Sequence, residues 1–91
     1  MFKHMLAEFL GTFLLVIAIL FTGKPIIIAA GFLLAISMIG PLSGGHINPA
    51  VSFAMAMKGD LPMVKLPQYI LAQLMGAYVA LVVYRGIKRA T

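Results

Sequence analysis

The chain has 91 residues with a mean hydropathy of +1.09, and 63% of its residues are hydrophobic while only 10% are charged. This composition indicates a membrane protein and excludes an ordinary soluble domain. The net charge of +5 does not indicate nucleic-acid binding, because the seven Lys and Arg residues lie at the ends of apolar segments, where they anchor helices near lipid headgroups.

Three apolar segments predict transmembrane helices at about residues 5–22, 26–39 and 66–84. The turn Thr22-Gly23-Lys24-Pro25 joins the first two segments, and Gly40-Pro41 is expected to end the second. Glu8 interrupts the first apolar run, which favours a retained helix over a cleaved signal peptide. Small residues at helix-packing spacing predict close helix contacts inside the chain: Ala7, Gly11, Ala72, Gly76 and Ala80.

Residues 40–57 lie between the spanning segments and predict a re-entrant loop followed by a half-helix. Asn48 is a favourable N-cap, and Pro49 suits the first helical position because its missing N–H would have no partner there. The nine residues from Pro49 to Met57 would extend only about half-way across a bilayer, at roughly 1.5 Å per residue. Unwound backbone at that depth is tolerated only where it lines a cavity, so this segment predicts a pore or a binding site.

The loop sequence Ser-Gly-Gly-His-Ile-Asn-Pro-Ala-Val, residues 43–51, resembles the first Asn-Pro-Ala loop of the aquaporin and glycerol-facilitator (major intrinsic protein) family. Residues 7–13 resemble the first-helix signature of that family, and residues 72–77 resemble its third helix. The resemblance covers almost the whole chain. It implies an all-α membrane protein with three transmembrane helices and one re-entrant half-helix, spanning residues 1–91 as a single half-repeat. Family members carry two such halves in one chain.

The resemblance implies that the loop lines a pore. Asn48 would use its side-chain oxygen as a cap for Ala50 or Val51 and keep two amide donors for a passing solute; the alternative is a plain N-cap without solute contact. The glycines would present backbone carbonyls as acceptors, or they would only make the turn. The predicted pore-lining residues are Gly44, Gly45, His46, Asn48, Pro49, Ala50 and Val51.

Glu8 is a carboxylate inside a membrane segment and therefore a functional candidate. It either couples transport to protons or accepts hydrogen bonds from backbone N–H groups of the loop; the resemblance favours the second role and assigns a similar support to Gln73. The sequence has no cysteine, no nucleophile–base pair, no metal-ligand cluster and no phosphate loop, so neither an enzyme nor a cofactor is predicted.

The sequence therefore predicts a cell-membrane channel subunit for water or small neutral solutes such as glycerol, with no nucleic-acid partner. A second copy in the opposite orientation would complete the pore as an antiparallel homodimer within a possible larger homo-oligomer. Val51 follows Ala50 in every copy, so such a dimer lacks the filter arginine of the family's second loop. The alternatives are a proton-coupled dual-topology exporter that uses Glu8 and a non-conducting partner of a full-length channel.

Overall fold

The computed structural model describes all 91 residues and contains four α-helices with one short 3₁₀ turn. The elements are α1 Phe2–Thr22, α2 Pro25–Ser43, α3 Pro49–Lys58, the 3₁₀ turn Met63–Lys65 and α4 Leu66–Ala90. By length and composition, the helices Phe2–Thr22 and Pro25–Ser43 and the segment Met63–Ala90 can each cross a membrane, whereas α3 has 10 residues. The predicted fold class of three spanning helices and one half-helix is confirmed.

The prediction that Gly40-Pro41 ends the second helix was wrong. The helix α2 continues through Pro41 to Ser43 and closes on Gly44, whose N–H donates to the carbonyl of Gly40 at 2.8 Å. Gly44 has φ 94°, the left-handed conformation that terminates many helices and that glycine adopts without a steric penalty. Proline within a membrane helix is tolerated where its surroundings satisfy the freed carbonyl, so the sequence signal at Pro41 does not stop the helix.

Two other helix boundaries also lie beyond the predicted ones. The helix α1 already begins at Phe2, and α4 continues past Tyr84 to Ala90. The additional turns of α4 carry Lys88 and Arg89 in the last turn, where positive charge interacts favourably with the helix dipole. Apolar composition marks the part of a helix that fits the hydrocarbon core, and a helix can continue beyond that part with polar residues, as α4 does.

The helix α1 lies between α2 and α4. It runs antiparallel to α2, since a Cβ built at Gly11 would meet Ile39 and one built at Gly31 would meet Ala18. It runs parallel to α4, since the His4 and Tyr69 rings lie 6.4 Å apart at one end and the Phe21 and Tyr84 rings 5.0 Å apart at the other.

The small residues predicted to pack helices together inside the chain are indeed buried, which confirms that prediction: Ala7, Gly11, Ala72, Gly76 and Ala80. At Gly76 the absence of a side chain lets α4 approach the backbone of Phe9 and Phe13 in α1. This close contact lies next to the hydrogen bond between Glu8 of α1 and Gln73 of α4, beside the loop that precedes α3.

Candidate functional site: a buried carboxylate holds the re-entrant loop

The loop between α2 and α3, residues 44–48, is held by the carboxylate of Glu8, which has no solvent exposure. Its Oε1 accepts hydrogen bonds from the backbone N–H of Ile47 at 2.7 Å and from Nε2 of Gln73 at 2.8 Å. Its Oε2 accepts from the hydroxyl of Ser43 at 2.6 Å and from the backbone N–H of His46 at 3.1 Å. These four donors occupy the four lone-pair positions that an ionised carboxylate offers. The loop is thus tied to α1, α2 and α4 through one side chain.

Gln73 extends the network from α4 to the half-helix. Its Nε2 also donates to Oγ of Ser52 at 2.8 Å, and this hydroxyl lies 2.9 Å from Nδ1 of His46. Gln73 and Ser52 are almost completely buried, and the Oε1 of Gln73 has no partner in the chain. Gln73 was expected to support the loop as Glu8 does, by accepting from backbone N–H groups, but it makes no hydrogen bond to residues 44–48 and instead donates to Glu8 and Ser52.

Tyr69 supports the loop in a way that the sequence analysis did not anticipate. Its hydroxyl donates to the carbonyl of Ser43 at 2.7 Å, its ring lies 5.0 Å from the His46 ring, and its side chain is buried. It stands one turn before Gln73 on the same face of α4, which is the spacing that could have identified it. Buried tyrosines need a partner for the hydroxyl, and here that partner is the end of α2.

Ile47 has φ 42°, a conformation that β-branched residues rarely adopt. Two contacts compensate for the cost. Its N–H donates to Glu8, and its side chain belongs to a buried apolar cluster with Ala7, Ala35 and Ile39. The strained residue immediately precedes Asn48, so its backbone direction sets the start of the half-helix.

Asn48 caps α3 from an extended conformation, with φ −159° and ψ 125°. Its Oδ1 accepts from the N–H of Ala50 at 2.8 Å, so the two hydrogens on Nδ2 remain available, and the side chain is exposed. The N–H of Val51 has no acceptor in the chain. The first backbone hydrogen bond of the half-helix is the one that the N–H of Ser52 donates to the carbonyl of Asn48. Free donors and the positive end of the helix dipole thus coincide at one point.

The other predicted pore-lining residues differ in exposure. Gly44 and Ala50 are exposed like Asn48, and Pro49 and Val51 are half-buried. Gly45 and His46 are buried, and their N–H groups donate to Ser43 Oγ and Glu8. Nowhere in the chain do three or more His, Cys, Asp or Glu side chains meet in a way that could hold a metal ion.

The sequence model of the family described as Major intrinsic protein matches residues 1–91. Aquaporin-9 of Homo sapiens is 44% identical over 100 aligned residues, which cover 93% of this chain and 34% of that protein. Aquaglyceroporin-2 of Rhizophagus irregularis is 45% identical, covering 87% of this chain and 30% of that protein. The probable glycerol uptake facilitator protein of Thermotoga maritima is 42% identical, covering 87% and 42%.

The chain thus spans between 30% and 42% of the length of these relatives. The family match extends over the helices, the loop and the half-helix, and the three apolar helices fit a multi-pass integral membrane protein. The family assignment predicted from residues 7–13, 43–51 and 72–77 is confirmed: the chain belongs to the major intrinsic protein family.

Proposed function

We propose that the chain forms one half of a cell-membrane channel for water or small neutral solutes such as glycerol. The observation that carries this proposal is the arrangement at Asn48, whose oxygen caps Ala50 at 2.8 Å while its amide donors stay free and exposed. Two donors from Nδ2 and one from the N–H of Val51 suit the oxygen of water or of an alcohol. The names of the relatives, which include an aquaglyceroporin and a probable glycerol uptake facilitator, support the same class of solute.

Passive conduction agrees better with the surroundings of Glu8 than coupled export does. A coupling carboxylate must exchange a proton with water, whereas Glu8 is fully buried and each of its oxygens accepts two hydrogen bonds. The family relationship also supports the prediction that the chain is not an enzyme.

The test is osmotic swelling of proteoliposomes with two substitutions at Asn48. Asn48→Ala removes the cap, which costs about 1 kcal/mol, together with the amide donors. Asn48→Ser keeps a good cap and replaces the two amide donors with a single hydroxyl donor on a shorter side chain. We expect both variants to insert and both to conduct water and glycerol more slowly than the wild type. Swelling at the wild-type rate in well-inserted Asn48→Ser protein would contradict the proposed role of the amide, and an inactive wild type would favour a non-conducting partner.

We further propose that a second half, inverted in the membrane, completes the pore and that a second copy of this chain can supply it. Inverted repeats of this kind are a common device in membrane transporters. The basic residues are distributed almost equally between the two membrane faces, with Lys3, Lys58 and Lys65 on one and Lys24, Arg85, Lys88 and Arg89 on the other. Three basic residues on one face against four on the other give little preference for either orientation under the positive-inside rule, so both orientations are expected.

This dual topology predicts that two added lysines change the activity without touching the loop. Met57→Lys with Val64→Lys places new charges at exposed positions on the Lys58 face, and should enrich one orientation. Swelling should fall, because parallel copies cannot bring two Asn48 loops together.

Mixing this protein with a variant that Ile87→Lys and Thr91→Lys bias toward the opposite orientation should restore the rate of swelling. Thiol labelling of single cysteines at positions 3 and 89, from each side of the membrane, reads the orientation. One fixed orientation in an active homomeric protein would contradict antiparallel pairing.

A further inference from the structure

Three contacts hold His46, and one of its ring nitrogens stays free. Its backbone N–H donates to Glu8 at 3.1 Å, its Nδ1 lies 2.9 Å from Oγ of Ser52, and its ring lies 5.0 Å from the ring of Tyr69. The other ring nitrogen, Nε2, has no partner in the chain and is not buried. The 9% exposure of His46 therefore includes Nε2, which lies 3.1 Å from a Cβ built on the exposed residue Gly44.

We propose that Ser52 is a positioning residue that fixes the tautomer of His46, so that the ring presents Nε2–H as a hydrogen-bond donor to the solute. The tautomer follows from hydrogen bonds within the chain alone. The contact with solute rests on the channel proposed above, in which Asn48 supplies the amide donors of the same loop.

The first step is the orientation of the Gln73 amide. Its Nε2 faces Oε1 of Glu8 at 2.8 Å, and an ionised carboxylate only accepts hydrogen bonds. A reversed amide would bring two acceptor oxygens together, so the nitrogen has to occupy this position. Its two hydrogens are then both used, one by Glu8 and the other by Oγ of Ser52 at 2.8 Å.

The second step is the direction of the hydrogen bond between Ser52 and His46. The Ser52 hydroxyl accepts from Gln73 and has a single hydrogen of its own to donate. Ser52 has no exposure to solvent, and Nδ1 of His46 is the other partner of its hydroxyl. A proton on Nδ1 would leave the hydroxyl hydrogen without an acceptor, a cost that buried polar groups in folded proteins avoid. Ser52 therefore donates, and Nδ1 accepts.

The third step is the state of Nε2. The hydrogen bond of one ring nitrogen sets the state of the other, and a neutral imidazole that accepts at Nδ1 carries its proton at Nε2. An imidazolium does not fit, because its Nδ1 would also be a donor. Nε2–H is thus a fixed donor on the open side of the loop, and a solute oxygen that passes the loop can accept from it. With the opposite tautomer, Nε2 would instead accept from the hydrogens of the solute.

Nitrogen NMR of isotope-labelled histidine in the detergent-solubilised protein tests the tautomer without requiring conduction. The chain has two histidines, so His4→Gln identifies the signals of His46. In the wild type the proton should be bonded to Nε2 and not to Nδ1. Ser52→Ala should move the Nδ1 signal and populate the other tautomer. A wild-type proton on Nδ1, or an Nδ1 signal that Ser52→Ala leaves unmoved, would overturn the proposal.

Two further serine variants separate the hydroxyl from a general disturbance of the fold. Ser52→Thr keeps a hydroxyl at the same position and should restore the wild-type signals of His46. Ser37→Ala removes an exposed serine hydroxyl from α2 and should leave those signals unchanged. A shift of the Nδ1 signal in Ser37→Ala as large as that in Ser52→Ala would contradict a specific role of Ser52.

His46→Gln and His46→Leu test whether the Nε2 donor contacts the solute. Glutamine can accept from Ser52 and still present an N–H, whereas leucine offers neither group. Osmotic swelling should be about two to ten times slower with leucine than with glutamine, the range that one hydrogen bond contributes. Equal rates in an active protein would overturn the contact with solute. A wild type that does not swell would contradict the proposed channel instead, and the NMR signals would still decide the tautomer.

Discussion

Gly76→Ala should separate α1 from α4 and destabilise the protein by about 3 kcal/mol, the upper end of the range for overpacked sites. The added Cβ would collide with the backbone carbonyl of Phe9 and crowd the N–H of Phe13. A backbone obstacle cannot turn aside as a flexible side chain can, so one of the helices has to move. Because Tyr69 and Gln73 lie on α4 and contact the loop network, that movement should also lower the rate of osmotic swelling.

Gly86→Ala is the matched control for this prediction. It lies in the same helix, and a Cβ built there meets no atom within 4 Å. Alanine favours a helix more than glycine does, so this variant should be as stable as the wild type or slightly more so. Thermal unfolding in detergent, followed by circular dichroism, compares the two. Equal unfolding temperatures for both variants would contradict the close approach of α1 and α4.

Glu8→Ala should have the other large effect, because it removes the acceptor for four donors at once. The Ser43 hydroxyl can turn to the carbonyl of Ile39, which lies 3.4 Å away. The N–H groups of His46 and Ile47 have no such alternative, and each unsatisfied buried donor costs about 1–3 kcal/mol. Without Glu8 the strained backbone of Ile47 also loses one of its two restraints. We expect a loop that no longer holds Asn48, and loss of swelling activity.

Glu8→Gln separates hydrogen bonding from charge. With the amide oxygen in the place of Oε1, the variant still accepts from Ile47 and Gln73. The amide nitrogen then faces the other two donors. The Ser43 hydroxyl can turn and accept from it, whereas the N–H of His46 stays unpaired. Stability and swelling should therefore lie between those of the wild type and Glu8→Ala. In a proton-coupled exporter both variants would be inactive, and an imposed proton gradient would drive solute accumulation by the wild type.

Asp60→Ala provides the control for the loss of a carboxylate. Asp60 is the only other acidic residue, and its side chain pairs with Lys58 at the surface with 55% exposure. Exposed ion pairs contribute little, about 0–1 kcal/mol, so unfolding temperature and swelling should remain near the wild-type values. If Glu8→Ala were as mild as Asp60→Ala, the carboxylate would not be what holds the loop.

The chemistry of local sequence determined the helices and the start of the half-helix. Apolar length identified three spans, and Asn48-Pro49 identified the beginning of α3, because capping and the fixed φ of proline act within a few residues. The signatures at residues 7–13, 43–51 and 72–77 identified the family. The same local reasoning failed at Pro41, because a proline inside a membrane helix is tolerated and the helix continues to its C-cap at Gly44.

The family resemblance pointed to Glu8 as an acceptor for backbone N–H groups of the loop, and only the tertiary structure decided which donors meet it. Glu8 meets Gln73 across 65 positions of sequence and Ile47 across 39, and such pairs form because α1, α2 and α4 pack at Gly11 and Gly76. The same packing brings the hydroxyl of Tyr69 in α4 to the carbonyl of Ser43 at the end of α2, and it holds Ile47 in its left-handed conformation. No local propensity favours a β-branched residue at positive φ, and it persists because buried donors need an acceptor and the apolar cluster needs its side chain.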